Sequence, residues 1–559
     1  MALQETDQHQ TDRDTRGIRV CILTLYLSES LGARQLCSIL KARGHHCSLV
    51  FFKEFRWGEF RHITPREEEL LLGLLRDIGP DLVGLSLTSS LVADVALGLA
   101  DKIRRSLDVP VILGGAHPSV APEECLEHAD IVCIGEGDGA IADLAEALAM
   151  GRGYHDIPNL WTKAYGEIHR NDVRPLSDNL DSLPFASFGE PDSYVIEYDR
   201  LERADPATRI PMYHTYASRM ACPFKCAFCG GVWFRHELYA GKGPVRRYRS
   251  VANILAEIKQ ARARSPNIEV VQFWDEIFAV RSPEGWLDEF CERFPKEIGL
   301  PYAIWSHPSL INGRRVAQLR EAGLKSVVLG IESGSERVRR EIINRGESNK
   351  TVLRAAQTLH QHGVTVGYDF ILDIPWLAEE NCRGTFELIM QLPRPLNAGL
   401  HSLSFLPRTA ITSRALAEGL IQPGQVAGAD RALSERFESF LWKYRLHARD
   451  RSGAFWHSLI YLATTPLLSR PALWKLYRLR HLLRLHPQPL VMAAEAARLR
   501  KATGQLRLWQ ALSVAYPSLA GFFARHPTVG RFVNSTVRAL GRVALHVAKL
   551  ARRQAGPPG

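Results

Sequence analysis

Short apolar runs recur along this chain, each separated from the next by a stretch of helical periodicity. Between residues 18 and 150 the runs are Arg19–Leu25, Cys47–Phe52, Leu82–Leu87, Val111–Leu113 and Ile131–Ile134. Helical patterns lie near Leu31–Arg43, Arg66–Ile78, Leu91–Leu107 and Ala140–Ala149. Strands that are apolar along their whole length are covered on both faces, so this order predicts a parallel, doubly wound, Rossmann-like sheet. Such sheets bind ligands at the carboxyl ends of their strands, where glycine and small polar residues let a cofactor reach the backbone. Three loops qualify: Ser86-Leu87-Thr88-Ser89, Gly114-Gly115-Ala116-His117-Pro118 and Gly135-Glu136-Gly137-Asp138. No G-x-G-x-x-G follows the first strand, which weighs against a dinucleotide. His117 reads as part of the loop structure rather than as a metal ligand.

The alternation resumes after residue 211. Strand runs at Ile268–Phe273, Pro301–Trp305, Lys325–Ile331, Val364–Leu372 and Leu400–Leu406 alternate with helical patterns at Ser250–Ala263, Arg314–Ala322, Ser335–Ile343, Lys350–His362 and Ala378–Gln391. This order predicts a (β/α) barrel, whose chemistry belongs at the carboxyl ends of its strands. Asp275, Glu276 and Glu332 stand at those ends, where they can hydrogen-bond a ligand or simply cap the next helix. Between the two regions, residues 151–210 are rich in Asp, Pro and Gly and read as an ordered connector with few regular elements.

At the head of the second region lies Met220–Gly231, M-A-C-P-F-K-C-A-F-C-G-G, with Cys222, Cys226 and Cys229 spaced C-x-x-x-C-x-x-C. Three thiolates on one loop can hold three irons of a cubane and leave the fourth corner open. Zinc is a second reading, although structural zinc wants four closed ligands, and His214 and His236 do not stand at a usual fourth-ligand spacing. Unrelated buried thiols are a third.

The loop, with Phe228 before its last cysteine, resembles that of the radical S-adenosylmethionine (SAM) superfamily, where it opens a partial (β/α)6 barrel. The resemblance implies a [4Fe-4S] cluster on Cys222, Cys226 and Cys229, with SAM chelating the open iron and being cleaved to a 5′-deoxyadenosyl radical. Glu332, in G-I-E-S-G-S-E at 330–336, resembles the family's fourth-strand signature and is expected to position SAM together with Asp275 and Phe228. Asp373 replaces the glycine of the family's fifth-strand G-x-P turn. The first region resembles the cobalamin-binding domain found upstream of many such barrels, which assigns the cofactor to Ser86, Thr88, Gly114, Gly115, Gly135 and Glu136. Leu27–Gly32 stands where some relatives have D-x-H-x-x-G, so base-off cobalamin without a histidine ligand is expected.

The resemblance implies a lead-in at 1–17, a cobalamin-binding domain at 18–150, a linker at 151–210, a radical SAM barrel at 211–425 and a helical extension at 426–559. The expected activity is methylation of an unactivated carbon by way of the deoxyadenosyl radical and methylcobalamin. Oxidative cyclisation or rearrangement with the same cofactors is the alternative enzyme. A non-catalytic cobalamin- or cluster-dependent sensor is the alternative of another class. A reductant such as flavodoxin or ferredoxin is implied.

Net charge is +10, and it is concentrated at one end: from Asp430 onward there are 22 Lys/Arg against 5 Asp/Glu. That segment reads as basic amphipathic helices at Ala432–Arg449, Pro471–Leu485, Pro489–Lys501, Gln505–Ala515 and Thr528–Arg553. Phe455–Leu468 is apolar but too short to span a bilayer. An anionic or lipid-like small-molecule substrate, or a peripheral membrane contact, suits such a segment; nucleic acid does not, because no RNA module accompanies it. Ten cysteines, three in one loop and the rest scattered without a framework spacing, and a polar N-terminus without a signal-peptide core, predict a reduced, cytoplasmic or membrane-peripheral setting.

Overall fold

The computed structural model describes residues 17–54, 62–164, 166–427, 451–464 and 468–479. The chain divides into two compact units, one holding nearly all residues up to Arg436 and one holding 437–559.

In the first unit, nine strands form one sheet. They are β1 (Arg19–Tyr26), β2 (His46–Glu54), β3 (Leu82–Ser86), β4 (Val111–Gly114), β5 (Ile131–Cys133), β6 (Leu160–Ala164), β7 (Glu167–Arg170), β8 (Ser193–Glu197) and β9 (Arg200–Arg203). Their order is β7-β6-β5-β4-β3-β1-β2-β8-β9. The parallel centre, read from β2 to β5, is the flavodoxin-like order 2-1-3-4-5, which opens a crevice where β1 and β3 diverge. Residue alternation explains the two covered faces. Cys21, Leu23 and Leu25 of β1 pack with Leu71, Ala96 and Leu126 of helices on one side. Val20 and Ile22 pack with Ala33, Leu40 and Leu144 of helices on the other.

The connector departs from the sequence expectation. Within 151–210 the chain makes four strands, β6 and β7 added antiparallel beyond β5, β8 added parallel to β2, and β9 antiparallel to β8. Each is only four or five residues long; what holds them is the exposed edge they pair with, which composition does not reveal. The Arg34 guanidinium locks the end of this connector, gripping both Asp205 oxygens at 2.6 and 2.7 Å in a buried pair.

The second sheet has six strands, all parallel: β10 (Met212–Thr215), β13 (Val270–Phe273), β14 (Tyr302–Ser306), β15 (Leu324–Glu332), β16 (Thr365–Ile371) and β17 (Asn397–His401). A two-residue ladder, β11 (Ser218–Arg219) with β12 (Arg247–Tyr248), brackets the cysteine loop. β17 ends before most of the expected Leu400–Leu406 run, because its pairing with β16 stops at His401. A helix at Trp286–Glu297 went unforeseen, its pattern interrupted by Pro295. Its Phe290 and Phe294 pack edge-on or tilted against Phe273 and Tyr302 on the outer face of the sheet, and Trp286 stacks on Phe290. Along β15 and β17, buried residues facing the helices alternate with half-buried residues facing the lumen.

In the second unit the described residues form two helices, Arg451–Thr464 and Arg470–Arg478, which meet through Trp456 and Tyr477. The other basic helices expected beyond residue 426 fall outside the described residues. Among the described residues no helix is long and apolar enough to cross a membrane.

Candidate functional site

The cysteine loop is fixed from several directions. The Ala227 N–H donates to the Ile343 carbonyl at 3.0 Å, and the Ile411 N–H donates to the Ala227 carbonyl at 3.0 Å. Asn344 Nδ2 donates to the Lys225 carbonyl at 2.8 Å, and Arg235 Nη2 to that of Phe224 at 3.2 Å. His307 stacks on the Phe224 ring at 3.9 Å. Phe228 packs on an apolar cluster that includes Val338, Ile343 and Ile371, so it anchors the loop.

Cys226 is buried while Cys222 and Cys229 are half-buried. Burial raises the Cys222 thiol, and it pushes Cys226 up to about 11 against the pull of Arg345. Metal binds the thiolate, so loading this loop must release protons. Among the described residues no three His, Cys, Asp or Glu side chains converge as ligands of one metal ion. The triplet is therefore not a ready single-zinc site. Three thiols set apart along a fixed loop fit a larger body in which each iron takes one sulfur. The residues present fit a [4Fe-4S] cluster held by Cys222, Cys226 and Cys229.

Glu332 closes β15 in a left-handed conformation, φ 67°, at a break in the register with β16. Such a backbone in a non-glycine residue is costly and gathers at functional sites. Glycine at position 330 makes room for it, since a Cβ there would strike Glu332 Oε1. Burial pushes the Glu332 carboxyl up to about 7, with the Arg345 guanidinium, 3.3 Å away, pulling the other way and Asp369 adding to the rise. Arg345 itself is held by Glu347 Oε1 at 2.9 Å and the Gly330 carbonyl at 2.6 Å.

Asp275 has different partners from those expected of a SAM contact. It is buried and accepts hydrogen bonds from the Ala217 N–H at 2.9 Å and from the Ser218 hydroxyl. Its carboxyl, pushed up to about 6 by burial, fixes the backbone just ahead of the cysteine loop. Glu276 reaches toward Arg235 at 3.4 Å.

The residues expected to hold cobalamin line a cavity of about 490 Å3. From the first sheet come Ser86, Thr88, Gly114, Gly115, Gly135 and Glu136; from the barrel come Tyr216, Met220, Trp274 and Glu276. Gly115 takes φ 117°, and a Cβ there would sit 2.5 Å from the Leu87 carbonyl oxygen. A Cβ on Gly135, φ 74°, would collide with the Tyr239 hydroxyl. Both positions demand glycine, and the bare backbone gives a ligand close approach. The Glu136 carboxylate lines the cavity but is also claimed by Arg247, at 2.5 and 3.0 Å, which ties the sheet to the barrel. Arg219 pairs with Asp138 at 2.5 Å alongside it. Leu31 and Gly32 also line it, and among the described residues no histidine does. His117 is fully buried, with Nδ1 3.0 Å from the Ser90 hydroxyl, and it lies in a short helix, Ala116–Val120, rather than in the loop expected, because the chain turns into that helix directly after Gly115.

A cavity at the carboxyl ends of a 2-1-3-4-5 sheet, opening onto a three-cysteine loop at the mouth of a parallel barrel, defines a cobalamin-binding domain joined to a radical SAM domain. The B12 binding domain model matches residues 20–145 and the radical SAM superfamily model matches residues 220–389. The chain carries the domain pair of the B12-binding radical SAM class, in that order. The cofactors of that class are a [4Fe-4S] cluster, SAM and cobalamin.

The chain is 26% identical over 326 residues to an uncharacterized methyltransferase, PH0819, of Pyrococcus horikoshii, covering 57% of this chain and 66% of that one. It is 25% identical over 276 residues to bacteriochlorophyllide d C-8(2)-methyltransferase of Chlorobaculum tepidum, covering 48% and 53%. It thus spans between about half and two thirds of those relatives. Among solved structures, the radical SAM methyltransferase TsrM from Kitasatospora setae is similar, with TM-score 0.57 and 17% identity over 72% of this chain and 76% of that one. The cobalamin-dependent SAM radical enzyme OxsB has TM-score 0.57 and 14% identity over 99% and 83%. At these identities the two structures show the fold.

Proposed function

We propose that the chain is a cobalamin-dependent radical SAM methyltransferase acting on an unactivated carbon of a small molecule. The observation that carries this reading is the shared cavity: Ser86, Gly114 and Gly115 line one side of it, and Met220, two residues before Cys222, lines the other. Those residues would hold a cobalamin between the first sheet and the barrel. The relatives named as methyltransferases support the choice of reaction.

When bound, the cluster with SAM supplies a radical able to take hydrogen from an unactivated carbon, and cobalamin supplies a methyl group. This chain's residues bind, orient and exclude water. Cys222, Cys226 and Cys229 hold the cluster. Glu332, steadied by Arg345, is placed to accept hydrogen bonds from SAM. Gly115 and Gly135 give cobalamin access to the backbone, and the Arg247–Glu136 and Arg219–Asp138 pairs keep the two halves of the cavity in register. An open-cornered cluster suits a reducing, cytoplasmic setting with a flavodoxin- or ferredoxin-like reductant.

The test is turnover by anaerobically reconstituted protein supplied with cobalamin, SAM, a reductant and extract of the producing cell. Appearance of both 5′-deoxyadenosine and S-adenosylhomocysteine with a product heavier by one methyl group is expected. A product that has lost hydrogen without gaining carbon would assign the chain to oxidative cyclisation instead.

A further inference from the structure

The lumen of the barrel is divided chemically between its first three strands and its last three. On the first three, His214 of β10, Trp274 after β13 and Trp305 of β14 turn away from the helices and form a continuous aromatic wall. The His214 and Trp274 rings are 5.2 Å apart, and the Trp274 and Trp305 rings 6.2 Å apart and nearly perpendicular. Trp274 is 39% exposed, although large apolar rings are normally covered, and it also lines the cobalamin cavity.

On the last three strands the wall is carboxylate. Asp369 sits mid-strand in β16, in the otherwise apolar run V-T-V-G-Y-D-F-I-L, on the lumen side. Its cross-strand neighbours in register are glycines on both sides, Gly330 of β15 and Gly399 of β17. A Cβ at Gly399 would run into Asp369 Oδ1, so the glycines clear the space the carboxylate occupies. His401 Nε2 stands 3.4 Å from Asp369 Oδ1, and the two side chains are 27% and 32% exposed. Glu332 adds a second carboxyl group near enough to feel the Asp369 charge. The Arg345 guanidinium in this wall is already occupied by Glu332, Glu347 and the Gly330 carbonyl.

We propose that Asp369 and His401, on the last strands of the barrel, act together with the Trp274–Trp305 wall on the first as the substrate-binding end of the lumen and select a molecule with an aromatic or flat apolar body that carries a hydrogen-bond-donating group, a hydroxyl or a protonated amine. A carboxylate accepts from either donor, and more strongly from a cation. An anion placed there would meet Asp369 and Glu332, and the Arg345 guanidinium beside them is already engaged. The aromatic wall stacks the body and holds it between the cysteine loop and the cobalamin cavity. This inference rests on the catalytic reading above and narrows its substrate.

The test uses reconstituted holoprotein and three probes that share an indole body: tryptamine with a protonated amine, tryptophol with a hydroxyl and indole-3-acetate with a carboxylate. Binding is measured by anaerobic calorimetry. Tryptamine and tryptophol are expected to bind at least about tenfold more tightly than indole-3-acetate. Asp369→Asn should reduce that preference to less than about threefold while iron and cobalamin content stay at the level of the unaltered protein. Trp274→Leu, which leaves the carboxylate in place, should weaken all three probes alike. Equal binding of the three probes, no binding by any of them, or tighter binding of indole-3-acetate overturns the inference. So does an unchanged preference in Asp369→Asn. Failure to bind iron or to cleave SAM would instead overturn the catalytic reading, so the two outcomes are separable.

Discussion

Arg345 Nη1 lies 3.3 Å from Glu332 Oε1 while Arg345 Nε holds Glu347 Oε1 at 2.9 Å, so one guanidinium fixes a strained strand-end carboxylate and its support together. His307 continues the line, with Nε2 3.5 Å from Glu347 Oε2 and its ring stacked on Phe224 of the cysteine loop. The SAM-contacting candidate and the cluster loop are thereby braced by one set of side chains.

That arrangement predicts a division between binding and loading. Glu332→Ala should weaken SAM binding by about tenfold or more, the loss expected when a charge-assisted hydrogen bond is removed, while iron content is unchanged. Arg345→Met should produce a similar loss without touching SAM itself, because Glu332 loses its brace. Equilibrium dialysis with labelled SAM and iron analysis on the same samples check both.

His117 makes the stability depend on pH. Burial lowers its pKa from 6.5 to about 4, so the folded state holds it neutral. The unfolded chain takes up a proton as pH falls below about 6.5, and the folded chain does so only near 4. The contribution is thus complete above 6.5 and is lost as pH falls through that window, by roughly 3 kcal/mol. His117→Asn should flatten the decline between pH 6.5 and 4.5 in urea denaturation. The exposed Glu124 carboxylate, 3.6 Å from Nε2, is the charged group facing the ring.

Gly115→Ala should cost on the order of 1–3 kcal/mol from its backbone conformation, with additional crowding of the Leu87 carbonyl. Cobalamin retention after desalting should fall in the same variant, whereas Gly153→Ala, at a position with open space around it, should leave both unchanged.

Glu136→Gln leaves the Arg247 guanidinium buried without its carboxylate. Breaking such a pair from one side costs about 3–5 kcal/mol when both partners are buried; the partly exposed Glu136 places the loss toward the lower end. Thermal unfolding of the cofactor-free protein measures it.

The two sheets were legible in the sequence because their central strands are buried on both faces and read as unbroken apolar runs. The cysteine loop was legible because its ligands lie within eight residues of one another. Residues 151–210 were not, since short strands such as Glu167–Arg170 gain order only from the edge they meet. Asp275 was legible at its strand end but its partners in the fold were not: Ala217 and Ser218 are nearly sixty residues away in sequence. Glu136 likewise showed its loop but not its mate, Arg247. Asp369 and His401 carried a signal that went unused, polar residues at lumen-side positions of otherwise apolar strands.

Electron paramagnetic resonance of the reduced, reconstituted protein, recorded with and without SAM, tests the central claim most directly. About four irons per chain, a cluster spectrum that changes when SAM is added, and loss of that spectrum in Cys226→Ala with cobalamin still bound are the expected results. One metal ion per chain, or a cluster spectrum indifferent to SAM, would contradict an open-cornered cluster facing the cobalamin cavity.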